Sequence, residues 1–149
     1  MESRTKVAGH AVHPILIVFP LGLLSTSVIF DIIHLVTGNP LWAVVSFWMI
    51  ISGVIGGALA AIFGLIDFLA IPLRTRAKSI GLMHGITSLS LLTLFFASWL
   101  VRYNDPDSPT TLALTLSFVG AGAAMLTGWL GGELVDLALG DDVGRVGKH

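Results

Sequence analysis

Four long stretches of this chain carry almost no formal charge, and that property limits its fold more than any other. No Asp, Glu, Lys or Arg lies between Pro14 and Phe30, from Leu41 to Ile66, from Ser79 to Val101, or from Thr110 to Gly132. Each is near or above the roughly 20 residues that carry a helix across a bilayer. In hydrocarbon only helices and closed barrels satisfy their own backbone groups, and these runs lack the period-two alternation of strands. The expected fold is therefore all-α, with four membrane helices. Composition agrees: 54% of the residues are hydrophobic and 11% charged, where a soluble domain carries about 25% charged residues. The 149 residues allow a single membrane domain with short connections.

Turn-forming residues divide the runs. Thr37-Gly38-Asn39-Pro40, Pro72 and Asp105-Pro106-Asp107-Ser108-Pro109 interrupt them, because glycine and proline stop regular structure. The spans are expected at about 14–36, 41–71, 78–101 and 110–135, in an up-down-up-down bundle. An even number of crossings puts both termini on one side. Arg4, Lys6, Arg74, Arg76, Lys78, Arg145 and Lys148 fall on that side and only Arg102 on the other. This asymmetry predicts that both termini are cytoplasmic. Met1 to Ala8 lacks a cleavable signal pattern, so the first run is expected to remain as a span. Trp42, Trp99 and Tyr103 then fall near the outer interface. Glycines in segments two and four are expected to let backbones approach, and Pro20 to kink segment one.

Several chemistries are excluded. The chain has no cysteine, hence no disulfide, thiolate-held cluster, covalently attached c-type haem or thiol nucleophile. A net charge of −1 gives no sign of a nucleic-acid surface. No nucleophile elbow, phosphate loop, metalloprotease helix or dinucleotide fingerprint is present, so little points to an enzyme.

The polar residues inside the spans remain. His10, His13, Asp67, His84, Glu133 and Asp136 belong to the cytoplasmic half, whereas Asp31 and His34 belong to the outer half. Histidine near hydrocarbon is costly unless paired, ligated or facing a wet interior. His13 and His84 approach one leaflet from different helices, as axial ligands of a haem do. They also suit a metal site completed by His10, Asp67 or Glu133. Structural hydrogen bonding is the third reading. His13 precedes proline and suits a helix cap. Asp67 is expected to pair with Arg74, Arg76 or Lys78, or to orient an imidazole, and Glu133 has the same second option. Asp31 and His34, three residues apart, are expected to satisfy each other.

His13-Pro14, Val18-Phe19-Pro20-Leu21-Gly22-Leu23 and Asp31 resemble the bacterial membrane family known as domain of unknown function 2231. So do Gly64-Leu65-Ile66-Asp67, Ile71-Pro72, Arg76-Ala77, His84 and the run Thr127-Gly128-Trp129-Leu130-Gly131-Gly132-Glu133-Leu134-Val135. The resemblance spans Gly9 to Val135. It implies a four-helix module of the bacterial inner membrane, loosely similar to small b-type cytochromes. Some relatives are joined to Rieske or cytochrome c domains, which implies electron transfer and points to His13 and His84. Where relatives continue into an aromatic, a basic residue and His-Gly-Val, this chain has Asp136-Leu137-Ala138-Leu139-Gly140. That departure weakens a three-histidine metal site more than a two-histidine haem.

The leading expectation is an electron-transfer subunit with one haem b on His13 and His84. Its electrons would pass to or from a quinone or a partner redox protein, in an oligomer or a larger complex. The alternatives are a cofactor-free structural subunit and a metal-binding module using His10, His13, His84 and Asp67.

Overall fold

A computed structural model describes the backbone of residues 6–7 and 10–146 and the side chains of residues 16–137. A short antiparallel pairing of Lys6–Val7 (β1) with His10–Ala11 (β2) precedes four helices. These are α1 (Val12–Thr37), α2 (Pro40–Ala70), α3 (Arg76–Arg102) and α4 (Thr111–Val146). At about 1.5 Å per residue they are about 39 to 54 Å long, more than the roughly 30 Å of a hydrocarbon core. Each contains a window long and apolar enough to cross a membrane. The fourth helix continues past the end of its apolar run, through Glu133 and Asp136.

Local chemistry sets the boundaries. Gly38 adopts φ +66°, a left-handed conformation that costs glycine nothing, and its N–H closes α1 on the His34 carbonyl at 2.8 Å. The Asn39 side chain then accepts from the Leu41 N–H at 3.0 Å, with Pro40 in the first helical position, where its missing N–H costs little. Pro72 follows the end of α2, and Thr75 caps α3 by accepting from the Lys78 N–H at 3.1 Å. Thr110 Oγ1 accepts from the Ala113 N–H at the start of α4. Helix α1 continues through Pro20.

α1 packs chiefly on α2, and α3 chiefly on α4; the two pairs meet along α2 and α3, and more thinly along α1 and α4. Leu24, Ile50, Leu91 and Phe95 form the buried apolar cluster. Close approach depends on missing side chains. A Cβ on Gly53 would lie 2.7 Å from the Leu24 side chain, and one on Gly57 would lie 2.5 Å from Leu92. Phe30 stacks on Trp42 at 5.3 Å beside the first turn, and Trp99 stacks on Phe47 at 5.5 Å.

The distribution of polarity is that of a membrane protein. Large apolar side chains such as Val18, Leu69, Leu89, Met125 and Trp129 face outward, while Ser27, Asp31, Ser46, Ser98, Arg102, Ser117 and Thr127 are buried. Lipid is as apolar as leucine, so helices associate through close packing and interhelical hydrogen bonds.

Candidate functional site

His84 stands about two turns into α3, half-buried against α4. Its Nδ1 lies 3.1 Å from the backbone carbonyl of Thr127. A carbonyl only accepts, so this contact puts the proton on Nδ1 and, in the neutral ring, the lone pair on Nε2. Gly131, one turn further along α4, gives the ring its room: a Cβ there would lie 3.3 Å from His84 Cε1. The imidazole is thus fixed in tautomer and position against α4. Metal-ligating histidines are commonly held by a carbonyl on the other nitrogen in this way.

The residues expected beside His84 are placed as follows. His13 belongs to the first turn of α1, which starts at Val12 with Pro14 as its third residue, within the turn where proline is tolerated. The side chains of His10 and His13 lie outside the described residues. Asp67 is half-buried near the end of α2. Glu133 accepts from Arg76 in an ion pair joining α4 to α3, with the arginine largely exposed. Lys78 donates to the Phe68 carbonyl at 2.8 Å and sits 3.8 Å above the Phe68 ring, tying α3 to the end of α2. Among the described residues, no three His, Asp or Glu side chains gather as a metal-ion site.

At the opposite end of the bundle lies a polar centre that sequence reasoning missed. Arg102, the last residue of α3, donates through both terminal nitrogens to Asp31 of α1, at 2.7 and 2.8 Å. The same nitrogens reach Ser46 of α2 at 3.3 Å and Ser117 of α4 at 2.8 Å, while Nε donates to Ser98 at 3.2 Å. All five N–H groups of a guanidinium therefore find acceptors, and one side chain touches every helix. Both charged side chains have zero exposure. Ser98 in turn donates to the Ala113 carbonyl at 2.7 Å. Removing a guanidinium and a carboxylate from water costs several kcal/mol per ion unless their bonding is complete. Here every guanidinium donor is used.

This arrangement corrects one expectation. Asp31 is satisfied by Arg102 rather than by His34, whose Nδ1 instead donates to the Asn39 carbonyl at 3.0 Å. Arg102, which the sequence only assigned to that end of the bundle, is 1% exposed. The signal was present in the sequence. Asp31 is the only acid in the first span, and Arg102 is the only Lys or Arg assigned to that end.

Residues 9–139 match the family described as Predicted membrane protein (DUF2231). The chain belongs to the DUF2231 family. The match includes His10, His13, Asp31, Asp67, His84, Arg102 and Glu133, so both the held imidazole and the buried ion pair of this DUF2231 protein lie inside it. Comparison with curated proteins and with solved structures gives no match.

Proposed function

We propose that this DUF2231 protein is an electron-transfer subunit of the bacterial inner membrane that binds one haem b through His13 and His84. The observation that carries this reading is the Nδ1 contact of His84 with the Thr127 carbonyl, the kind of backbone contact that commonly orients a ligating histidine. Haem supplies one-electron redox chemistry when bound. The chain's part is to hold the His84 ring at a fixed angle through Thr127 and Gly131 and to surround it with apolar helix. Among the described side chains His84 offers one of the two imidazoles that this reading needs, and His13 is the proposed second.

Register supports the pairing. We read the helices as an up-down-up-down bundle, because Phe30 meets Trp42 near the first turn while Phe19 meets Gly56 farther along both helices. Gly57 lies against Leu92 of α3 as Gly56 lies against Phe19 and Pro20 of α1. From that common level, residue 13 is six or seven residues toward the start of α1, and residue 84 is eight toward the start of α3. At 1.5 Å per residue, both are displaced by about 9–12 Å in the same direction. The Lys and Arg asymmetry supports a cytoplasmic position for that end and both termini. A quinone in the bilayer or a partner redox protein would exchange the electrons.

The test is the absorption spectrum of protein purified in detergent from haem-supplied cells. Bis-imidazole iron should give a low-spin spectrum with sharp bands on reduction, lost in His13→Ala and in His84→Ala. A second reading, a cofactor-free subunit in which His84 only fastens α3 to α4, is favoured by the same Thr127 contact. It requires a colourless protein that is stable and fully assembled under those conditions.

A further inference from the structure

Arg102 and Asp31 are the most completely buried charges among the described residues, and the proposed electron transfer makes no use of them. Their position within the bundle suggests a different role. α1 and α2 form one closely packed pair and α3 and α4 another, with lesser contact between the pairs. Of the side chains that bind the guanidinium, Asp31 and Ser46 come from the first pair, and Ser98 and Ser117 from the second. The α1–α4 seam is otherwise poorly filled. A groove of about 400 Å³ runs along it, lined by Leu21, Leu24, Val28, Ala121, Ala124 and Met125 among others. Apolar contact along this seam is therefore incomplete, and lipid provides no hydrophobic force to close it.

We infer that the Asp31–Arg102 pair is the docking contact between two helical hairpins, α1–α2 and α3–α4. At this end of the bundle each hairpin brings one buried charge, and an unpaired charge in a membrane is costly. The two charges neutralise each other only when the hairpins meet in a single register. The serines extend that requirement to all four helices: each supplies an oxygen to one particular guanidinium N–H, so a hairpin displaced by one turn leaves donors unpaired. The short first turn, Gly38-Asn39, holds α1 and α2 together without the pair, and the Ser98–Ala113 bond helps α3 and α4 in the same way.

The chain has no cysteine, so introduced cysteines report directly on this arrangement in the intact protein. Val28→Cys with Ala121→Cys places thiols across the α1–α4 seam, and Phe30→Cys with Trp42→Cys places them within the first hairpin. Both pairs are treated with a short bismaleimide in membranes, with and without Asp31→Asn, and again with Arg102→Met. Either substitution should lower cross-linking across the seam by about fivefold or more, while cross-linking within the hairpin stays within about twofold, because each leaves one buried charge without its partner. Unchanged cross-linking across the seam overturns the inference. So does a parallel loss of both cross-links, which would make the pair a support of the whole fold rather than a contact between preformed hairpins.

Discussion

Asp31 and Arg102, 71 residues apart in sequence, meet in a two-pronged ion pair with no solvent exposure. Breaking a buried pair leaves a lone charge and costs about 3–5 kcal/mol, whereas loss of a single neutral hydrogen-bond partner costs about 1–3 kcal/mol. Thermal unfolding in detergent should therefore rank the variants. Asp31→Asn should be the most destabilised, Ser117→Ala less so, and Ser46→Ala, at the 3.3 Å contact, least. An Asp31→Asn protein as stable as the wild type would show that the pair contributes little.

Glu133 and Arg76 form the contrasting pair. The Arg76 side chain is 71% exposed, and exposed ion pairs contribute about 0–1 kcal/mol. Glu133→Gln should thus shift the unfolding temperature far less than Asp31→Asn, and should leave any spectral signature of a His84-bound cofactor unchanged. A changed spectrum would place Glu133 behind an imidazole instead.

Gly131 tests the imidazole's position. A methyl group there falls 3.3 Å from His84 Cε1, whereas one on Gly128 meets nothing within 4 Å. Gly131→Ala should displace the ring and disturb the spectrum of the haem-loaded protein, with helix content intact, while Gly128→Ala should leave both as they are. Equal behaviour of the two variants would remove Gly131 from the site.

Asp105 and Asp107 lie in the connection between α3 and α4, outside the membrane. A hydrogen bond with Asp107, a little burial and the repulsion of its charge all raise the Asp105 carboxyl above its ordinary value. A folded-state value raised above the unfolded one stabilises the protonated form, so this contribution is present at low pH and is lost as pH rises through the folded value. Carboxyl titration followed by NMR should show Asp105 returning toward the ordinary range in Asp107→Asn.

Much of the fold was legible in the sequence because the bilayer demands so much of it. Uncharged runs bounded by Thr37-Gly38-Asn39-Pro40 and Pro72 admit little except helices. Contacts between distant residues were harder to read. Asp31 and His34 share a helix face, and that local pairing obscured a partner 71 residues away. The tilt and rotation that bring Ser46, Ser98 and Ser117 onto one guanidinium follow from packing of all four helices, and no single helix shows them. His84 was visible as a polar residue in an apolar run. Its partner, a backbone carbonyl of Thr127, has no sequence signature.

Orientation is tested by a reporter fused after His149. A fusion active on the cytoplasmic side agrees with the Lys and Arg asymmetry; one active only on the opposite side of the membrane reverses the proposed placement of His84.

The central claim, that His84 is a held ligand rather than a fastener alone, is tested most directly by the reduced-minus-oxidised spectrum of detergent-purified protein from haem-supplied cells. The account predicts sharp low-spin bands from one haem b that disappear in His84→Ala and in His13→Ala but persist in His10→Ala, His34→Ala and Asp67→Asn. A colourless wild-type protein that is folded and stable would contradict it.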